Sequence, residues 1–261
     1  MNQASCLLSV VGLGPGAPEL MTPAARHALD SAEDIVGYTT YVRLAGALRP
    51  EQRVHASDNR QELERARTAL DLAASGRRVV VVSSGDPGIF AMASAVLEVL
   101  DQEANPAWDA VSLDIVPGLT AAQVVASRVG APLGHDFCVL SLSDNLKPWA
   151  LIERRIEYAI AADLVLALYN PGSQARPWQI KRALELLLQL RAPTTPVVLG
   201  RDVGRVDETT QIVTLAEVNP EQIDMRTTLI IGSSQTRRFT RADGEAWVYT
   251  PRCYPDLTAD A

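Results

Sequence analysis

Four consecutive valines, Val79, Val80, Val81 and Val82, constrain this chain more than any other stretch. A short, unbroken β-branched run suits a strand covered on both faces, and such strands belong to parallel sheets with helices on either side. The run opens directly into Ser83-Ser84-Gly85-Asp86-Pro87-Gly88-Ile89-Phe90. Gly85 and Gly88 permit backbone conformations closed to other residues, Pro87 removes a donor, and residues 91–100 then have helix-forming composition. A strand whose carboxyl end leads through small residues into a helix places a loop where open α/β sheets bind ligands. Bare main chain at Gly85 and Gly88 would let a flat cofactor lie against it, with Asp86 the one acid at hand. A plain tight turn is the competing explanation.

The same grammar runs through the chain. Residues 6–12 form an expected first strand into Gly12-Leu13-Gly14-Pro15-Gly16, and Thr22-Pro23 supplies an N-cap and a proline at the first position of a helix reaching Ala32. A dinucleotide fingerprint would put its third glycine at Ala17. Pro15, Pro18 and Pro23 stretch the loop where that helix should begin, and the acids Glu33 and Asp34 precede the next strand instead of ending it, which argues against a nicotinamide site. The glycine loop around Gly14 instead suits close approach by substrate or by the other domain. Residues 34–42 read as a second strand, 62–75 as a helix ended by Gly76, and 114–121 as another strand, small-residue turn and helix start, with Thr120 as the cap of a helix over 121–129. In the second half, strands are expected at 137–142, 164–169, 196–199, 210–215 and 227–232, with helices at 149–162 and 178–190. At 261 residues two α/β domains with a cleft between them are expected: 1–120, 121–240, and a C-terminal tail over 241–261.

Composition excludes several classes of function. A net charge of -7 argues against an extended nucleic-acid surface, so an anionic partner must be met by a local cluster of arginines. Lys147 and Lys181 are the only lysines, and arginine is the better fork for carboxylates. Cys6, Cys138 and Cys253 are too scattered for a disulfide framework or a cysteine metal site, and no metal is expected. Residues 1–12 lack a basic leader and no run of roughly 18 apolar residues occurs, so an intracellular, cytoplasmic protein without a membrane span is expected.

Few residues offer chemistry by spacing alone. No Ser-His-Asp arrangement or nucleophile elbow is present. His135, just before the strand at 137, is a candidate for proton transfer, whereas His27 and His55 read as structural. The loops at 144–149, 169–171 and 200–205 all follow strands, and such ends tend to face one cleft. Arg128, Arg201 and Arg205 are the arginines selected as carboxylate contacts, with surface ion pairs as the competing explanation.

Four ordered motifs together resemble the tetrapyrrole methylase family: Val11-Gly12-Leu13-Gly14-Pro15-Gly16, Gly85-Asp86-Pro87-Gly88-Ile89-Phe90, Pro117-Gly118-Leu119-Thr120-Ala121 and Thr227-Thr228-Leu229-Ile230-Ile231-Gly232. Within the family, Gly37-Tyr38-Thr39-Thr40-Tyr41-Val42, Asp144-Asn145-Leu146-Lys147-Pro148-Trp149, Leu168-Tyr169-Asn170-Pro171 and Gly200-Arg201-Asp202-Val203-Gly204-Arg205 look like the precorrin-3B C(17)-methyltransferase branch of cobalamin biosynthesis. The match spans roughly residues 7–239. Uroporphyrinogen-III methylases of the family carry an acid after the second-strand tyrosine; here Tyr38 is followed by Thr39, which implies a different ring substrate.

The resemblance implies a homodimer of two α/β domains with S-adenosylmethionine in the interdomain cleft. It implies that Pro15 borders the cofactor, that Ser84, Gly85, Asp86 and Ile89 hold it, and that Thr120 and Ala121 meet its methionine end. Tyr169 and Asn170, with Arg201, Asp202 and Val203, would flank the adenosine. Gly14, Arg128, Lys147, Arg201 and Arg205 are the expected substrate contacts. The implied reaction methylates precorrin-3B at carbon 17 and contracts the ring to precorrin-4, a step that needs a proton acceptor; His135, Asp86, Asp144 and Tyr38 are the candidates. Neighbouring pathway enzymes are possible transient partners, while nucleic acid and membrane are not expected. Action on cobalt-factor III, a sibling precorrin methylation, methylation of ribosomal RNA or diphthamide, and a non-catalytic S-adenosylmethionine-binding module are the alternatives.

Overall fold

The structure, a computed structural model, describes residues 7–58, 61–173 and 176–254, and the chain divides between Ala121 and Ala122 into two compact units. Cys6, the expected start of the first strand, lies outside the described residues.

The first unit is built on strands β1 (Leu7–Gly12), β2 (Asp34–Tyr38), β3 (Arg53–Ser57), β4 (Val79–Ser83) and β5 (Ser112–Val116), in the order β3-β2-β4-β1-β5. All four pairings are parallel. The valine run is the centre of the sheet, and each of its side chains is buried. Helices α1 (Pro23–Ser31) and α2 (Thr39–Leu44) cover one face with Val11, Ile35, Val80 and Val82, whereas α3 (Glu62–Ala74) and α4 (Met92–Glu103) cover the other with Leu8, Val10, Val36, Val79 and Val81. The Thr22 hydroxyl accepts from the Ala25 amide at 3.1 Å and Pro23 opens α1, as the sequence predicts. The second strand ends at Tyr38, not Val42. The β-branched residues that suggest a longer strand instead make the single-turn-and-a-half α2, because a helix carries Tyr41, Val42 and Leu44 onto the core beside α1. Strand β3 is invisible to periodicity because, as an edge strand, it buries little: Val54 is half-exposed between Arg53 and His55.

The second unit holds α5 (Ala121–Val129, whose first residue belongs to unit one), β6 (Gly130–Ala131), β7 (Phe137–Ser141), α6 (Trp149–Ala161), β8 (Val165–Tyr169), α7 (Trp178–Leu190), β9 (Pro196–Arg201), β10 (Thr209–Thr214), β11 (Thr227–Ile231), β12 (Arg237–Thr240) and β13 (Ala246–Tyr249). Five strands form a mixed sheet in the order β10-β9-β11-β8-β7. β7 and β8 are parallel, and β11 runs antiparallel to both β8 and β9, so β7, β8 and β9 share one direction. Helices α6 and α7 bury Ile152, Ile156, Ile180, Leu184 and Leu187 against Leu166, Leu168, Val197, Leu199, Leu229 and Ile231. On the other side α5 lies so close to β9 that a Cβ on Gly200 would strike Val125. The stretch from residue 241, read from the sequence as a tail, contains β13, which pairs with β12 and β6 in a three-stranded sheet.

Candidate active site

In the first unit the loop after β1 leads to α1 on one face, and the loop after the neighbouring β4 leads to α4 on the other. That is a topological switch point, where open α/β sheets place ligands beyond the carboxyl ends of their strands. The two loops are clasped together. Gly14 and Gly85 exchange both backbone hydrogen bonds at 3.1 and 2.8 Å, each with φ near +70°. Gly85 therefore spends its amide and carbonyl on Gly14, and what it leaves to a ligand is bare surface: a Cβ there would meet nothing nearer than the Thr120 Cα at 3.9 Å. That uncluttered backbone fits a flat cofactor.

Asp86 holds the loop together. One carboxylate oxygen accepts from the Gly88 amide at 2.8 Å, and the other from the Gly118 amide at 3.1 Å, joining the loop after β4 to the loop after β5. Pro15, Ser84, Gly85, Asp86, Ile89 and Thr120 are thus brought to the carboxyl ends of β1, β4 and β5, and Phe90 closes the β4 loop in the left-handed region at φ +53°. Tyr38 ends β2 at the same edge, its ring edge-on to Tyr41 at 5.2 Å, and among the described residues its hydroxyl has no hydrogen-bond partner.

The carboxyl ends of β7, β8 and β9 form the corresponding edge in the second unit. The Tyr169 hydroxyl accepts from the Ala122 amide at 2.7 Å, satisfying a backbone donor in the first turn of α5. Asn170, at φ +52°, donates to the Ser141 hydroxyl at 2.9 Å. Asp202, at φ +50°, is buried among Arg201 and Arg226, each 3.1 Å away, and Arg205 at 3.7 Å. Asp144 pairs with Arg176 and accepts from Gln179 at 3.0 Å, and Arg176 also donates to Asn145.

His135 is not among these groups. It precedes β7, so it stands at the amino edge of the sheet, opposite Asp144, Tyr169 and Asn170, about 17 Å away across a five-residue strand. Its Nδ1 accepts from the Asp136 amide at 2.7 Å, and its ring lies edge-on to Tyr254 at 5.1 Å. The expectation of a shared site fails because a residue just before a strand and one just after it lie at opposite ends of the sheet.

The arginines selected as substrate contacts already hold protein carboxylates. Arg128 grips Glu208 with two bonds of 2.6 and 3.2 Å, and Arg201 meets Asp224 at 3.0 Å as well as Asp202. The Arg128 guanidinium, against the opposing cost of burial and with help from the Gly204 amide, holds the Glu208 carboxyl below its usual range. The Lys147 ammonium donates to the Ser143 carbonyl at 3.0 Å, and burial, with Arg155 nearby, lowers its pKa. Arg176, Gln179, Asp224 and Arg226 complete this edge without a signal in the sequence, since each acts through a partner distant along the chain or across a turn.

The family model described as "Tetrapyrrole (Corrin/Porphyrin) Methylases" matches residues 7–219. The cobalamin biosynthesis protein CobIJ of Mycobacterium tuberculosis (strain ATCC 25618 / H37Rv) is 53% identical over 253 residues, 95% of this chain and 48% of that protein, so the chain spans about half the length of that relative. A precorrin-3B C(17)-methyltransferase from Sinorhizobium sp is 51% identical over 248 residues, covering 95% of this chain and 96% of that one. The crystal structure of the methyltransferase CobJ superposes with a TM-score of 0.88 at 47% identity, covering 94% of this chain and 99% of that one. Among the described residues no helix is long and apolar enough to cross a membrane.

Proposed function

The chain belongs to the tetrapyrrole (corrin/porphyrin) methylases, and on that premise we propose that it transfers a methyl group from S-adenosylmethionine to carbon 17 of precorrin-3B, with ring contraction to precorrin-4 in cobalamin biosynthesis. The observation that carries this reading is the match, over nearly the whole of both chains, to the precorrin-3B C(17)-methyltransferase of Sinorhizobium sp.

Bound S-adenosylmethionine would supply an electrophilic methyl group on a sulfonium. The protein's task is then alignment and exclusion of water. Ser84, Gly85, Ile89, Thr120 and Ala121, with Pro15 beside them, are the proposed cofactor contacts of the first unit, and Asp86 fixes their loop by binding the amides of Gly88 and Gly118. Tyr169, Asn170, Asp202 and Val203 are the proposed cofactor contacts of the second. Lys147, Arg201 and Arg205, with Gly14, are the proposed contacts for the substrate and its carboxylates. Of the four candidates for proton transfer, Asp86 and Asp144 serve protein donors and His135 lies at the amino edge, which leaves Tyr38 to orient the reacting hydroxyl by a hydrogen bond. The family resemblance supports a cytoplasmic homodimer.

The test is anaerobic incubation of the purified protein with methyl-labelled S-adenosylmethionine and precorrin-3B, read by mass spectrometry and absorbance. One added methyl group and the chromophore change of ring contraction are expected. Transfer to cobalt-factor III alone would move the substrate to the cobalt-bearing ring, and no transfer to either would overturn the assignment.

A further inference from the structure

Two apolar side chains in the second unit are wholly exposed on loops that are otherwise held fast. Leu146 is 98% exposed and Val206 102%. Scattered surface hydrophobics are ordinary, but these two share features that scatter does not supply. Each occupies the tip of a loop at the carboxyl edge of the five-stranded sheet, Leu146 after β7 and Val206 after β9. Each loop is pinned. Arg176 holds Asp144 and Asn145, and the Lys147 ammonium closes back on the Ser143 carbonyl. In the other loop Arg128 grips Glu208, whose second oxygen also accepts from the Gly204 amide at 2.8 Å, while Arg205 reaches Asp202. Half-exposed Met225, two residues before β11, lies between them in strand order.

Each tip also adjoins a cation, Leu146 beside Lys147 and Val206 beside Arg205. The acids Asp144, Asp202 and Glu208 on these loops are already engaged by Arg176, Arg201 and Arg128, and exposed Asp207 follows Val206. From β7 to β9 is three interstrand spacings, about 14 Å. The edge therefore presents separated apolar tips, Leu146 next to Lys147 and Val206 between Arg205 and Asp207, and the Leu146 tip in particular complements an apolar ring bearing peripheral carboxylates.

We propose that Leu146 and Val206 are substrate contacts that take the apolar surface of the tetrapyrrole while the adjoining cations meet its carboxylates. The inference rests on the reading of the substrate as a precorrin. It extends that reading to residues that stabilise nothing within the fold, so their substitution separates binding from folding.

The experiment compares the wild-type chain with Leu146→Ser, Val206→Ser and Leu146→Asp. It measures KM and kcat with precorrin-3B, the Kd of S-adenosylmethionine, and the unfolding midpoint. Each serine variant should raise the precorrin KM about tenfold, as loss of a buried apolar contact requires, and Leu146→Asp should raise it further by repelling carboxylates. The kcat, the cofactor Kd and the unfolding midpoint should stay at wild-type values. An active wild type whose serine variants keep KM within about twofold overturns the inference and leaves the methyltransferase assignment standing. A wild type that binds S-adenosylmethionine but transfers no methyl group to the precorrin overturns the assignment, and the inference with it.

Discussion

Gly118 shows how much of this site depends on the absence of a side chain. A Cβ on Gly12 would lie 2.6 Å from the Gly85 carbonyl oxygen and 2.7 Å from the Gly118 amide, and one on Gly118 would lie closer still to that carbonyl. These are backbone contacts, with no flexible side chain to give way. Gly118 does not have a positive φ, so its requirement is purely steric. Gly244 is the contrast: it has φ +88° and open space around it. Gly118→Ala should destabilise the first unit by about 2 kcal/mol through forced backbone shifts and weaken S-adenosylmethionine binding by parting the loops after β1, β4 and β5. Gly244→Ala should cost about 1 kcal/mol from its backbone conformation alone and leave binding unchanged. Chemical denaturation and calorimetric titration of both variants check this pair.

At the scale of elements, Asp144 joins two connections and a helix. Arg176, from the β8–α7 connection, binds Asp144 in the β7–α6 connection, and Gln179 on α7 donates to the same carboxylate. An acid so engaged positions loops; it does not stand ready to accept a substrate proton. Asp144→Asn and Arg176→Leu should therefore impair turnover to similar extents, and the double variant should be no worse than the more damaging single one, a coupling on the order of 1 kcal/mol. A proton-accepting Asp144 would instead make Asp144→Asn far more damaging than Arg176→Leu. Single-turnover rates of the three variants distinguish the two outcomes. The loop over 142–148 should also become more sensitive to protease in all three.

Across the whole molecule, each unit fastens the amino edge of its sheet with a carboxylate, at the end opposite the proposed ligand contacts. Asp34, fully buried at the start of β2, meets Arg77 and His55; burial works against its charge, and those partners outweigh it, so its pKa is lowered. Asp163, just before β8, is opposed by burial too, yet the hydroxyl and amide of Ser234, the Tyr254 hydroxyl and Arg191 bring its carboxyl from 3.8 down to about 2. A carboxyl with a lowered pKa stabilises the fold above its ordinary value and loses that contribution as pH falls through its folded value. For Asp163 the loss should run from about pH 4 to about pH 2 and amount to about 2 kcal/mol. Unfolding midpoints measured from pH 6 to pH 2 should fall across that window in the wild type and show a flatter slope in Asp163→Asn.

Much of the architecture was legible before any coordinates. The valine run, the Thr22-Pro23 helix start and the glycine-bearing loops each follow from local sterics and hydrophobic period, and local effects leave a local record in sequence. Strand β3, β12 and β13 left almost none, because edge strands and small sheets bury too few side chains to impose alternation. Helix α2 reads as strand in the sequence because packing of half-buried Tyr41, Val42 and Leu44 on the core overrides the strand preference of its β-branched residues. The site divides in the same way. The glycines and Asp86 announce themselves as one motif, whereas the removal of His135 to the far edge and the capture of Asp144 by Arg176 depend on strand direction and on partners 32 residues apart. Sequence by itself determined the buried central strands and the glycine-bearing loops, since those depend on neighbours along the chain. Only the tertiary structure decided which charged groups have partners and which apolar tips stand exposed, since pairing and burial are properties of distance in space.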